Sequence, residues 1–225
     1  RVYGTRHEDL VVEPDILPVV ASAVRAAGEP FADSSAIPTY LLSEMTRRHV
    51  TVALSGDGGD ELFAGYTRYV IDRKRSGLEK LPKVIRENIL RAVSEKLPHG
   101  ARGKNFLYSI SLGPVNRYID NVSHFGALKK NALYSADFRQ NLNGDLGCGE
   151  SVFHKIAESA RSENPVDKLL YLDSKTYLPS DILTKVDRMS MATSLEARVP
   201  LLDHKLIEFV TKIPAHLKLK NLETK

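Results

Sequence analysis

Three groups of residues in this 225-residue sequence have the types and spacing to do chemistry. The first is Ser55-Gly56-Asp57-Gly58-Gly59-Asp60-Glu61, which follows the β-branched and apolar run Thr51-Val52-Ala53-Leu54 and precedes the helical pattern Leu62, Phe63, Tyr66, Val70. Strand, glycine-rich loop and helix form the kind of junction at which α/β proteins place a ligand, beyond the carboxyl end of a strand. Glycines let backbone approach a ligand closely, and the N–H groups opening the next helix favour an anion. Asp57, Asp60 and Glu61 oppose that anion unless a cation lies between. The charge pattern therefore points to a nucleotide held through a divalent metal with oxygen ligands, most simply Mg²⁺. The ordinary alternative is a tight turn whose acids complement the helix dipole. The loop is no dinucleotide fingerprint, since Glu61 stands where a glycine is needed, and no Walker A loop, since no Gly-Lys-Ser/Thr follows.

The second group is Asp33-Ser34-Ser35, ahead of a helix that has Pro38 in its first turn. Such residues are usually caps; the functional reading has them line the same cleft as the acidic loop. The third is Lys185 with Arg188, one turn apart on a helix read as Asp181 to about Thr193, and the loop that follows with Glu196 and Arg198. Two cations on one face suit a pyrophosphate, or else an ion pair with Asp181 or Asp187. The seven histidines have no ligand spacing, so zinc is not expected. The single cysteine, Cys148, excludes an intrachain disulfide and fits a reducing, cytoplasmic setting.

The elements that would position these groups alternate. A short strand is expected at Leu10-Val11-Val12, then a helix from Ile16 to Ala27 capped by Asp15 and closed by Gly28. A loop over Glu29 to Ile37, a helix ending near Arg48 and the strand ending at Leu54 complete a β–α–loop–α–β order, which calls for a parallel α/β sheet. From about Gly77 the periodicity becomes helical. The basic residues Lys80, Lys83, Arg86, Arg91, Arg102 and Lys104 read as a solvated face rather than a nucleic-acid surface. Asn164-Pro165 opens a helix to about Tyr177, Leu178-Pro179-Ser180 reads as a stop and a new cap, and Asp203 caps a last helix, His204 to about Lys212. With 42% hydrophobic and 27% charged residues and a net charge of +4, the chain has a globular composition. No apolar run approaches a membrane span.

Two long motifs in order, SGDGGDELFAGY and LTKVDRMSMATSLEARVPLLD, with EPFADSSAIPTYLLSE upstream, resemble the synthetase domain of glutamine-dependent asparagine synthetases. That resemblance implies a helix-rich α/β fold of the PP-loop ATP pyrophosphatase (adenine nucleotide alpha-hydrolase-like) type with a truncated sheet. It divides the chain into a nucleotide-binding part (1–76), a helical insertion (77–163) and a C-terminal helical part (164–225). It implies a ligase that adenylates the aspartate side chain with Mg·ATP and passes glutamine-derived ammonia to it. Ser55, Gly56 and Gly58 match positions around the AMP part, and Asp60 matches a carboxylate holding Mg²⁺. Asp57 stands where relatives carry a glutamate acting as base, and its carboxylate is one methylene shorter. Ser34 and Ser35 fall in the region of the acyl-adenylate. The partners implied are ATP, aspartate, ammonia and the glutaminase domain of the same chain, with room for a homodimer, but no nucleic acid and no membrane. The family's Ser-Gly-Gly-x-Asp-Ser loop, the glutaminase domain and a downstream lysine motif do not occur in these 225 residues, so the chain alone is expected not to make asparagine. Two other readings stand beside this one: a related amidotransferase or cyclase acting on a β-lactam, peptide or glycan precursor, and a non-catalytic binding module of the same fold.

Overall fold

In the computed structural model the described residues are 3–5, 11, 16–98, 100–142 and 148–220. The expected strand at Leu10-Val11-Val12 and the Asp15 cap fall largely outside them. The elements in order are α1 (Ile16–Ala27), α2 (Ala36–Arg47), β1 (Val52–Leu54), α3 (Gly59–Phe63), α4 (Thr67–Ser76), α5 (Arg91–Lys96), α6 (Lys104–Ser111), α7 (Pro114–Val122), α8 (Ala127–Leu133), α9 (Ala136–Asn141), α10 (Cys148–Ser159), α11 (Pro165–Lys175), α12 (Thr184–Ala192), β2 (Glu196–Arg198), α13 (His204–Thr211) and α14 (Ala215–Lys218). The chain is thus helix-rich α/β. It divides into two compact units that do not follow chain order: residues 1–55 with 181–200, and residues 56–180 with 201–225.

In the first unit α1, α2 and α12 pack on one another. Their shared core is built from small residues, Ala23, Ala27 and Ala36, around the fully buried Met189, with Phe31, Ile37 and Tyr40 against it. Alanine at the contact lets helix backbones approach closely, and methionine fills the irregular gap left between them. α1 ends as its sequence dictates, with Gly28 in the left-handed region at φ 71°. β1 and β2 form a parallel pair, Val52 opposite Glu196 and Leu54 opposite Arg198. The Ser55 N–H donates to the Arg198 carbonyl at 2.8 Å and continues the ladder one residue. Glu196–Arg198, read from sequence as loop, is therefore a strand. The run Thr51–Leu54, read as buried, is a strand with Val52 and Leu54 exposed at 37% and 74%; the described sheet has only two strands and leaves those faces uncovered.

The second unit has a larger core from α3, α4, α7, α11 and α14: Ala64, Tyr69, Val70, Tyr118, Ile119, Leu169, Leu172 and Leu219 among others. At its centre lies Asp173, fully buried, accepting from Arg68 Nη2 (2.7 Å), the Tyr118 hydroxyl (2.6 Å) and the Tyr69 hydroxyl. The Arg68 guanidinium lies 3.9 Å from the Tyr66 ring centroid and 4.6 Å from that of Tyr177, a cation–π arrangement. A second buried pair joins Arg117 to Asp72 at 2.5 Å. A buried charge survives only when paired and hydrogen-bonded, and both carboxylates meet that condition.

Two expected boundaries move. The helix read from Leu62 through Val70 is broken: Ala64 takes a left-handed φ of 57°, α3 stops at Phe63, and α4 restarts at Thr67. Leu178-Pro179-Ser180 is no stop. Leu178–Leu183 is a π-helical turn leading straight into α12, with the break earlier, at Thr176. Pro179 is the second residue of that turn, where the missing N–H is not called for, and Ser180 donates its N–H to the Thr176 carbonyl instead of capping. The Asn164 and Asp203 caps form as read, on the N–H of Val166 and those of Lys205 and Leu206. Basic residues of the helical stretch are engaged locally, Lys83 and Arg86 with Glu87, Arg91 with Glu95, and Lys104 with the Leu97 carbonyl; Lys83 and Arg91 face solvent as expected, whereas the Arg86 side chain is 12% exposed and does not belong to a solvated face.

Candidate active site

The acidic loop begins where β1 ends. Ser55 is half-buried and anchored by its N–H to β2. Gly56 is exposed, and a Cβ there would meet nothing within 4 Å. Asp57 and Asp60 are half-buried. Gly58 is buried with φ 82°, and a Cβ on it would fall 2.3 Å from Leu202 Cδ2. Glycine is thus demanded at 58 twice over, by backbone conformation and by the side chain beneath it. Gly58 and Gly59 turn the loop, whose Gly59 N–H reaches the Gly56 carbonyl at 3.4 Å.

The three acids part company. Glu61 is 1% exposed and accepts from the Tyr66 hydroxyl at 2.5 Å. Burial pushes its carboxyl above the ordinary range, the charges of Asp173 and Asp60 add to that, and the Tyr66 bond opposes it. Burial and the Glu61 contact in turn push the Tyr66 hydroxyl up. Glu61 is therefore a packed, structural acid. Asp60 lies instead against Gly65, whose N–H donates to the Asp60 carbonyl at 3.0 Å. Among the described residues no group of three or more His, Cys, Asp or Glu side chains is arranged to hold a metal ion.

Asp33, Ser34 and Ser35 stand in the first unit at the start of α2. Asp33 Oδ1 accepts the Ser35 N–H at 2.8 Å, so Asp33 does act as a local cap. Ser35 does not. Its hydroxyl donates to Asp33 Oδ2 at 2.7 Å and accepts from Lys185 Nζ at 2.7 Å. Lys185 also donates to Asp33 Oδ2 at 2.7 Å, closing a three-membered ring of polar groups in which the lysine side chain is only 10% exposed. Burial acts to raise the Asp33 carboxyl, but the bonds from Lys185 and Ser35 outweigh it and hold the group below its ordinary value. Ser34 is exposed, and with Asp33 it borders an apolar groove of about 890 Å³ lined by Val20, Ala23, Val24, Phe31 and Ile37. The lysine pairs with Asp33 rather than with Asp181 or Asp187, and Arg188 pairs with Glu29 at 2.9 Å and with the Ala27 carbonyl.

Of the residues singled out from sequence, Ser35 and Asp33 are brought together with Lys185. Ser55, Gly56, Asp57, Gly58 and Asp60 share one loop. Ser34 and Ser35 belong to the first unit and Asp57 and Asp60 to the second. Two residues escaped sequence reasoning in these roles. Lys185 sits on the buried stripe Ile182, Lys185, Met189, at spacings of three and four; a lysine inside an apolar stripe was the available signal. Gly65 falls inside the stretch read as helical, Leu62 to Val70, and nothing in the sequence singled it out.

The family model for asparagine synthase matches residues 1–225 of this chain. Over 197 residues the chain is 38% identical to asparagine synthetase (glutamine-hydrolyzing) 1 of Bacillus subtilis, covering 88% of this chain and 30% of that protein. Over 226 residues it is 36% identical to a putative asparagine synthetase (glutamine-hydrolyzing) of Mycobacterium bovis, covering 99% and 33%. More distantly it is 26% identical over 206 residues to amidase chyE of Penicillium rubens, covering 86% and 30%. A helix-rich α/β chain carrying this loop belongs to the asparagine synthase family. The chain spans about a third of the length of the curated relatives it matches. No helix among the described residues is long and apolar enough to cross a membrane.

Proposed function

We propose that this chain supplies the nucleotide-binding and metal-binding loop of an ATP-dependent amidating ligase of the PP-loop type, acting on the side chain of aspartate. The observation that carries the reading is the loop itself, in a chain whose whole length matches the family. Gly58 is fixed by its left-handed φ and by Leu202. Gly56 has neither constraint: a Cβ there would project into open space. A glycine that the fold does not require, beside Ser55 at a strand end, suits the close approach of a nucleotide.

In this reading Ser55, Gly56 and Gly58 receive the AMP part of ATP. Mg²⁺ would be held by one or two carboxylates together with phosphate and water oxygens. The half-buried Asp60, held in the space that a Gly65 side chain would fill, fits that donor set. When bound, the metal supplies charge neutralisation on the leaving pyrophosphate. A carboxylate oxygen of aspartate attacks the α-phosphorus and pyrophosphate leaves. Ammonia then attacks the acyl carbon, AMP leaves with the bridging oxygen, and Asp57 takes the proton that the new amide nitrogen sheds. Within the first unit the Ser35 hydroxyl is oriented by Asp33 and Lys185.

The experiment is aspartate-dependent exchange of labelled pyrophosphate into ATP by the intact gene product, with and without Asp60→Asn. Exchange that needs aspartate and falls at least about a hundredfold in the variant, the scale of a lost charge-stabilising group, supports the reading. Formation of ADP and phosphate with no exchange refutes it. A second reading keeps the adenylation and changes the carboxylate; the relative named an amidase, at 26% identity, favours it. Exchange with other carboxylates and none with aspartate would select it.

A further inference from the structure

We propose that Gly65 is a positioning residue for Asp60, present to leave room for its carboxylate; the inference rests on the reading of Asp60 as a metal ligand. A Cβ built on Gly65 would lie 1.9 Å from Asp60 Oδ1, 2.7 Å from Cγ and 3.1 Å from Cα. Real Cβ atoms do not approach other atoms so closely, so the carboxylate fills the volume that any side chain at 65 would need. Conformation is not the reason for the glycine, because Gly65 is not among the residues of positive φ. The neighbouring residue takes that burden. Ala64 adopts φ 57°, ends α3 after a single turn, and folds the chain back so that the Gly65 N–H meets the Asp60 carbonyl at 3.0 Å.

The short helix, the left-handed alanine and the glycine together form a bracket around one carboxylate. The bracket acts at two points, the backbone carbonyl of Asp60 and its side chain. A methyl at 65 strikes the carboxylate first, and the easiest relief is rotation of the Asp60 side chain about its own bonds, with the helix left in place. The consequence is directional: substitution at 65 turns Asp60 away while Gly58, Asp57 and Ser55 keep their places.

The test is a cycle of Gly65→Ala, Asp60→Ala and the double variant in the intact gene product. Mn²⁺ serves as the probe, followed by water-proton relaxation in the presence of pyrophosphate, alongside thermal melting. Gly65→Ala is expected to weaken Mn²⁺ binding at least about tenfold, to raise the metal concentration for half-maximal pyrophosphate exchange by a similar factor, and to change nothing further once Asp60 is alanine. Melting follows the same logic. The temperature lost on Gly65→Ala in the wild-type background is largely absent in the Asp60→Ala background, where the carboxylate no longer occupies the space, so a poorly folding single variant still reports. Equal effects of Gly65→Ala in both backgrounds would overturn the proposal. Weakened metal binding in Asp60→Ala but not in Gly65→Ala would overturn the role of Gly65 alone. Unchanged binding in Asp60→Ala would overturn the metal reading of Asp60 and this proposal with it.

Discussion

Replacing Lys185 with methionine tests the polar ring of the first unit. Lys185 Nζ makes two bonds of 2.7 Å, to Asp33 Oδ2 and Ser35 Oγ, with side chains 10% and 18% exposed for Lys185 and Asp33. Breaking a buried pair by removing one partner costs about 3–5 kcal/mol. Two features of the site reduce that. Asp33 keeps the Ser35 N–H and hydroxyl, at 2.8 and 2.7 Å, and is partly solvated. Methionine also retains most of the lysine's apolar stem, and so most of its buried area. A loss of about 2–3 kcal/mol is expected, two charge-assisted bonds less the remaining solvation. The pH dependence has a definite sign. Asp33 has a folded pKa below its ordinary value of 3.8, so its contribution is fully present above that value and disappears as pH falls through the folded pKa. Urea denaturation of the intact gene product, followed by far-ultraviolet circular dichroism at neutral pH and near pH 3, measures both. The deficit of Lys185→Met should shrink at low pH, and adding Asp33→Asn should recover part of it at neutral pH. A deficit below about 0.5 kcal/mol, the scale of an indifferent surface substitution, would refute the ring's contribution; so would strict additivity with Asp33→Asn.

Other variants probe the second unit. Asp173→Asn keeps shape but removes the charge that Arg68, Tyr69 and Tyr118 share; a loss of about 3 kcal/mol is expected, against about 1 kcal/mol for Tyr118→Phe, which removes one donor, both read from denaturation midpoints. Gly58→Ala combines a left-handed backbone at φ 82° with a Cβ 2.3 Å from Leu202. It should cost about 2–4 kcal/mol, of which Leu202→Ala relieves only the steric part. Glu61 has a folded pKa raised above its ordinary value of 4.5, first by burial, so its ionisation removes stability as pH rises from that value through the folded pKa. Glu61→Gln, which still accepts from Tyr66, should therefore stabilise at neutral pH and match wild type below about pH 4, as paired melting curves would show.

Local chemistry was legible in the sequence and long-range partnership was not. α1 and its Gly28 stop, and the Asn164 and Asp203 caps, follow from side chains within a few residues of the groups they satisfy. β2 was hidden because Glu-Ala-Arg has no strand pattern; it becomes a strand through its ladder with Val52–Leu54, a tertiary effect that overrides propensity. The break after α3 was missed because Ala64 is a poor candidate for left-handed backbone. The glycines of the loop and of the turn after α3 were visible, but their reasons were not: Gly58 answers to Leu202 and Gly65 to Asp60, contacts that arise only in the folded chain. The three acids looked equivalent by charge, yet Glu61 turns inward to Tyr66 while Asp57 and Asp60 stay half-exposed.

The central claim is that the chain's loop serves attack of a carboxylate on the α-phosphorus of ATP, and one label follows that bond. Aspartate carrying oxygen-18 in its side-chain carboxylate is incubated with ATP, Mg²⁺, an ammonia source and the intact gene product, and the phosphorus products are read by mass spectrometry. The account predicts oxygen-18 in the phosphate of AMP, with asparagine formed in equal amount. Label in inorganic phosphate, with ADP as the nucleotide product, would contradict it.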